Sequence, residues 1–285
     1  MSGVRISVIV PAYRAWDTLP AALDALRPQV DRPDRELVLL ESSGEVTQEE
    51  LASRWPWARV ITPAERTLPG RARNLAARQA RGELLAFTDA DAVVAPDWLD
   101  ELERALTDEI DGVAGAILNG APGSMVGTAD YLLEFSDWLP RRRLPLLHGA
   151  TCNLLLRREI VDGTGFPNEI WPGEDTILTF RLGAEGRLAF APTARIRHSG
   201  RTGFRDFLRH QSELGAAFAT ICETVEFPYR GLARRRYGPL LPAFRLVGVA
   251  RRMRGNPTAI KDALRVSPLI AIGAVAWSTG LVKAR

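Results

Sequence analysis

Four times in its first ninety residues the chain starts a short apolar run that reads as a strand, and helix-forming spacing separates these runs. Ile6 to Val10 is the first run, β-branched and closed by Pro11. Leu19, Ala22, Leu23 and Leu26 follow at i, i+3, i+4 and i+7, with Asp17 or Thr18 placed to cap a helix. Glu36 to Leu40 reads as a second strand that ends in Glu41-Ser42-Ser43-Gly44, and Thr47-Gln48-Glu49-Glu50 has the capping-box pattern of a second helix start. Arg59-Val60-Ile61 is a third strand, and Pro69-Gly70-Arg71-Ala72-Arg73-Asn74 leads a helix to about Ala80. The fourth strand is Leu84 to Phe87. Such alternation predicts a mostly parallel sheet covered by helices on both faces. Right-handed crossovers put all these strand ends on one rim, and with them Pro11-Ala12-Tyr13, Glu41 and Asp89-Ala90-Asp91.

The fourth run has the most chemistry. It follows the turn-former Gly82 and stops at two carboxylates one residue apart. On extended chain Asp89 and Asp91 point the same way, at the edge where open α/β sheets bind ligands. Two like charges so close repel unless a cation or a proton joins them. A divalent metal gripping a diphosphate meets that need, since Mg²⁺ takes one or two carboxylates plus phosphate oxygens. An isolated D-x-D is more often a strand-end turn with two solvated aspartates, so its context decides.

Composition sets outer bounds. With 285 residues, 46% hydrophobic and 25% charged, the chain can bury a real core and is not globally disordered. Cys152 and Cys222 lack metal-type spacing and read as free thiols in a reducing compartment. The apolar run at the N-terminus is too short for a signal peptide.

Farther along, Pro96-Asp97-Trp98-Leu99 opens a helix and Val113 to Leu118 is a strand. Residues 121–149 resist a reading; Arg141-Arg142-Arg143 there is a solvated basic loop or a phosphate contact. Thr151 to Leu156 is a strand, with a helical start at Arg157. Trp171-Pro172-Gly173-Glu174-Asp175 leads a helix with Ile177, Leu178 and Leu182 on one face, and the helix dipole favours an anion at Asp175. Leu188 to Phe190 and Ile196-Arg197-His198 read as two short strands. A lone histidine such as His198 at a strand end is usually structural.

Taken together, these segments resemble family 2 glycosyltransferases over about residues 4–200. Ser7-Val8-Ile9-Val10-Pro11-Ala12-Tyr13 resembles that family's opening strand. Gly70 to Ala76, Ala80 to Glu83 and Phe87-Thr88-Asp89-Ala90-Asp91 resemble its centre. Cys152 to Glu159, followed by Gly165-Phe166, resembles its acceptor-side stretch, and Gly173-Glu174-Asp175-Thr176-Ile177-Leu178 its G-E-D element. The resemblance implies a GT-A fold: an α/β, Rossmann-like mixed, mostly parallel sheet flanked by helices, with a nucleotide half joined to an acceptor-binding half; the chain beyond it reads as a C-terminal helical appendage. It implies sugar transfer from a nucleotide-diphosphate donor with inversion. Asp89 and Asp91 would hold Mg²⁺ or Mn²⁺ and the donor, and Pro11, Ala12 and Tyr13 would line the nucleoside pocket. Arg73 and Asn74 would serve the base or ribose site. Asp175 would deprotonate the acceptor hydroxyl, with Glu174 nearby, and His198 would add a metal or phosphate contact. Elementary chemistry agrees, since displacement at a sugar carbon needs a base on one side and a stabilised leaving group on the other.

The pattern has departures. The second strand usually ends in Asp, whereas here it ends in Glu41-Ser42-Ser43, so Glu41 or Ser42 takes the nucleobase contact or the base preference differs. A Q-x-x-R-W element is not evident, which favours one sugar per acceptor. These readings give a transferase domain over 1–203 and an appendage over 204–285. In the appendage no acid falls between Glu226 and Asp262, while Arg230, Arg234, Arg235, Arg236, Arg245, Arg251, Arg252 and Arg254 do. Val266 to Val282 is almost uncharged, with Trp277 near one end, and is marginal in length for spanning a bilayer. A basic, apolar, Trp-bearing tail reads as helices lying in a membrane interface; a packed helical subdomain or a dimer contact is the alternative. No recognition motif supports nucleic acid. The combined expectation is a cytoplasmic enzyme, peripheral at the inner face of the cell membrane, acting on a lipid-linked or envelope glycan. A non-catalytic nucleotide-sugar binder or partner subunit is the competing reading.

Overall fold

A computed structural model describes residues 3–140, 145–227, 231 and 235–284, without the side chains of 235–237. Arg141-Arg142-Arg143, Arg230, Arg234 and the side chains of Arg235 and Arg236 lie outside the described residues. The chain forms two compact units, one of residues 1–116 and 147–197, the other of 117–146 and 198–285.

The first unit opens with β1 (Ile6–Ala12), α1 (Leu19–Val30), β2 (Arg35–Glu41), α2 (Gln48–Arg54), β3 (Arg59–Ile61), α3 (Pro69–Gln79) and β4 (Leu84–Thr88). The capping box expected at Thr47 is present, with Thr47 accepting from the Glu50 N–H and Glu50 reaching back to the Thr47 N–H. β1 pairs in parallel with β2 and β4, and β2 with β3. Val8, Ile9, Leu37 to Leu40 and Leu85 to Phe87 are wholly buried. Strands covered on both faces are expected to be apolar on both.

After β5 (Ala92–Val94) and α4 (Trp98–Arg104), β6 (Gly112–Asn119) crosses into the second unit; later come β7 (Asn153–Arg157), α6 (Arg158–Gly163), α7 (Glu174–Ala184) and β8 (Leu188–His198). β7 pairs antiparallel with β4 and β6, completing an eight-stranded mixed sheet in the order β3-β2-β1-β4-β7-β6-β8-β5. The two short strands expected at 188–198 are one continuous strand. Pro192 and Thr193 sit inside it, and Pro can occupy a strand position where its missing N–H is not needed. Asn153, opposite Thr88, is fully packed: its amide donates to Ala116 O and Ala194 O, both at 2.9 Å, and it accepts from the Trp98 indole at 2.7 Å.

The second unit is helical beyond the strand ends. It contains α5 (Met125–Phe135), α8 (Phe204–Thr224), α9 (Leu241–Arg252), α10 (Pro257–Arg265) and α11 (Ser267–Lys283). α5 occupies the stretch that periodicity left unread, because all of its residues from Gly127 to Leu133 are buried and no polar face marks it. Ala219, Leu241, Trp277 and Leu281 form a core cluster. Trp277 is buried in this cluster, with the Arg245 guanidinium 5.0 Å from its ring centroid.

Candidate active site

The first unit brings three distant segments to one place. β4 ends at Thr88, and the Ala92 N–H donates to Asp89 O at 3.1 Å. Asp89 and Asp91 therefore lie in a turn between β4 and β5, and strand alternation does not set their direction. Both are half-buried. As hard oxygen donors one residue apart, they have the chemistry of an Mg²⁺ or Mn²⁺ site.

α3 supplies the cation that joins this turn to the G-E-D element. Arg73, one turn into the helix, is 4% exposed; its Nη2 donates to Asp89 Oδ1 at 2.9 Å and its Nη1 to Glu174 Oε1 at 2.6 Å. The guanidinium also stands 5.9 Å from the Phe166 ring centroid. Burial alone would lower the Arg73 pKa, but Asp89, Glu174 and Asp175 together raise it, so the charge is held firmly. The close approach requires Gly70: a Cβ there would lie 2.3 Å from Pro167 O and 3.3 Å from Glu174 Cγ.

α7 starts after a cis Trp171–Pro172 bond and a left-handed Gly173 at φ 109°. Its two acids meet different surroundings. Glu174 is buried, and burial, with Asp175 adding to it against the pull of Arg73, pushes its pKa up to about 7. Asp175 is half-buried and accepts from the Thr176 N–H at 2.6 Å and the Thr151 N–H at 3.3 Å. Thr176 Oγ1 lies 3.2 Å from His148 Nδ1. The two acids thus sit in unlike environments: Glu174 is engaged by a buried cation, while Asp175 is half-buried and oriented by two backbone amides.

On the β1–β2 rim, Ala12 is buried and its carbonyl accepts from the Ser42 N–H at 3.0 Å; Pro11 is half-buried. Tyr13 is 39% exposed, with the Arg66 guanidinium 4.4 Å and that of Arg14 5.5 Å from its ring centroid. Glu41 is buried and accepts from the Ser43 N–H with both oxygens at 3.0 Å and from the Arg14 N–H at 3.4 Å, so it shapes the turn it ends. Asn74 likewise binds a loop: its amide donates to Phe166 O at 2.8 Å and Asn168 Oδ1 at 3.0 Å and accepts from the Phe166 N–H at 2.9 Å. His198, the last residue of β8, belongs to the second unit, where its ring centroid is 4.8 Å from that of Phe135.

The structure thus gathers Arg73, Asp89, Glu174 and Asp175, while Glu41 and Asn74 are each bound to backbone. Sequence reading did not single out Arg66, His148 or Thr151. Arg66 and His148 are lone residues outside any motif, and Thr151 contributes a backbone amide that no side-chain pattern reveals. In the second unit Asp130, Glu134 and His210 bring ligand-type atoms within 4.8 Å of one another. There Arg201 Nη1 lies 3.6 Å from Asp130 and 3.5 Å from Glu134, and the Gln211 amide donates to Asp130 at 3.0 Å. That cluster already contains its cation and reads as an internal ion-pair network.

A mixed eight-stranded sheet with a parallel half, flanked by helices, is the plan of the GT-A fold. The chain belongs to glycosyl transferase family 2, whose sequence model matches residues 7–164. Glycosyltransferase AglE of Haloferax volcanii is 24% identical over 222 residues, 74% of this chain and 71% of that protein. The O-antigen biosynthesis protein RfbC of Myxococcus xanthus is 30% identical over a 222-residue alignment that covers 68% of this chain and 17% of RfbC. Among solved structures, a mannosyltransferase from Pyrobaculum calidifontis in complex with GDP-Man and Mn²⁺ aligns with a TM-score of 0.63 at 20% identity, over 98% of this chain and 85% of that one. Residues 1–349 of TarS from S. aureus, in complex with UDP-GlcNAc, align with a TM-score of 0.53 at 17% identity, over 98% and 90%.

Proposed function

We propose that the protein is an inverting, metal-dependent glycosyltransferase that moves one sugar from a nucleotide-diphosphate donor to a hydroxyl of a lipid-linked or cell-envelope glycan. The observation that carries this reading is the single buried Arg73 shared by Asp89 and Glu174, which draws the D-x-D and G-E-D elements together. The donors and metal named for the solved neighbours, GDP-Man with Mn²⁺ and UDP-GlcNAc, support the donor class. The O-antigen role named for RfbC supports an envelope acceptor.

In this reading Asp89 and Asp91, with His198 as a further contact, would hold Mg²⁺ or Mn²⁺, which when bound supplies charge neutralisation for the departing diphosphate. Pro11, Ala12 and Tyr13 line the nucleoside pocket, where Arg66 and Arg14 beside the Tyr13 ring favour an anionic ligand. Arg73 holds Asp89 and Glu174 in place. Asp175, oriented by two backbone amides, takes the acceptor proton. Residues 1–203 form the transferase domain, and 204–285 the appendage that brings it to the inner face of the membrane.

Two measurements on the full chain test this. In a thermal-shift screen of GDP, UDP, ADP and dTDP, one nucleotide should raise Tm only when Mn²⁺ is present, through preferential binding to the folded state. Asp175→Asn should lower kcat by about 10²–10⁴-fold, the usual contribution of a general base, with the donor Kd nearly unchanged. A mutant that turns over like wild type would remove Asp175 from the reaction.

A further inference from the structure

The second unit contains a helix that is apolar on two sides. The inner face of α11 buries Gly273, Ala274, Trp277, Gly280 and Leu281. There the backbones of α8 and α11 touch: a Cβ on Gly215 would lie 1.8 Å from Trp277 O, and one on Gly280 1.8 Å from Ser212 O. The outer face carries Ile272, Val275 and Val282, exposed by 43%, 54% and 36%, at i, i+3 and i+10 along one stripe. In α10, Ile260 and Leu264 stand one turn apart, exposed by 43% and 73%. A helix facing water ordinarily presents polar residues there, yet α11 has no charge before Lys283. Apolar surface arranged in this way marks a binding face.

Charge selects the occupant. Residues 228–285 contain twelve Lys and Arg and one acid, Asp262. Arg251, Arg254, Lys261 and Lys283 are exposed, and Lys261 lies next to Ile260 on α10. A second copy would bring this surplus against itself, whereas an anionic lipid surface neutralises it. Length decides between lying on a bilayer and crossing it. α11 has 17 residues, about 26 Å at 1.5 Å each, short of the roughly 30 Å hydrocarbon core. Among the described residues no single helix is long and apolar enough to cross a membrane; α10 and α11 pass together only as a pair bent by 84°. The inner face of α11 is moreover already covered by protein.

We propose that the outer faces of α10 and α11 dock in the plane of an anionic lipid surface, with Ile260, Leu264, Ile272 and Val275 inserted and the neighbouring Lys and Arg on the headgroups. This deepens the membrane reading above and rests on it. Cosedimentation of the full chain with phosphatidylcholine vesicles, with and without phosphatidylglycerol, tests it. Wild type is expected to bind only the phosphatidylglycerol vesicles, less at high salt. Ile272→Asn/Val275→Asn and Leu264→Asn should each cut partitioning by about tenfold or more, with the wild-type Tm, monomer mass and donor hydrolysis retained. If wild type binds neither vesicle, the docking face and the membrane reading fail together. If it binds and the variants bind equally well, the assigned face is wrong while membrane attachment stands. If the variants instead convert a dimer to a monomer, the face belongs to a second copy and the lipid proposal is overturned.

Discussion

At the scale of single residues the site turns on Arg73. It is buried, and its two acid partners lie 16 and 101 residues along the chain. Arg73→Met leaves both acids without their cation, so chemical denaturation should show a loss of about 3–5 kcal/mol. Adding Glu174→Gln to that variant should recover part of the loss above about pH 7, where the buried glutamate would otherwise carry a charge without its cation, and a double-mutant cycle would read the coupling directly. Glu174 also gives a pH signature. Its folded pKa is pushed up to about 7 from the ordinary 4.5 of a glutamate, so the folded chain holds this proton more tightly than the unfolded one. Its contribution to stability is therefore complete below about 4.5 and lost as pH rises through about 7. The difference in Tm between wild type and Glu174→Gln should change across that window and level off outside it. The motif letters pointed to Arg73, Glu174 and Asp89 as candidates, but they did not reveal the shared guanidinium, because a contact across 101 residues leaves no periodic trace.

At the scale of elements, local pattern told most where one force dominated. β3 spans Arg59–Ile61, as its apolar run implies, and α3 runs Pro69–Gln79 from a proline at its first position. The pattern failed where a third partner intervened. α5 is buried nearly all round and so shows no amphipathic face, β8 runs through a proline, and the D-x-D sits in a turn that its flanking strand does not dictate. The approach of α3 to the loop before α7 is equally invisible in sequence, but it can be tested. Gly70→Ala would place a methyl 2.3 Å from Pro167 O, a backbone atom that cannot swing aside. Overpacking of this kind costs about 1–3 kcal/mol, and because Glu174 lies 3.3 Å away the variant should lose activity as well as Tm.

At the scale of the whole molecule, strand–helix alternation led correctly to a parallel half-sheet, and the resemblance to a known family supplied the rest of the α/β plan. What composition left undivided was the tail, where α11 has one face packed on α8 and another exposed. A run of apolar residues with a tryptophan looks the same whether its face meets lipid or a neighbouring helix, and the difference depends on Gly215 and Gly280, which let two backbones touch. Gly280→Leu should force α8 and α11 apart, and hydrogen exchange in both helices should speed up while β1, β2 and β4 keep their protection.

The shared guanidinium also limits how this enzyme can be re-engineered. A chimera that imports the 84–94 turn or the 171–184 helix start from a relative acquires an acid shaped for a different host arginine. Either graft should be accepted only when residues 69–74 travel with it, and because Arg73 bonds both acids the remaining acid segment must follow, so the smallest portable cassette consists of three pieces.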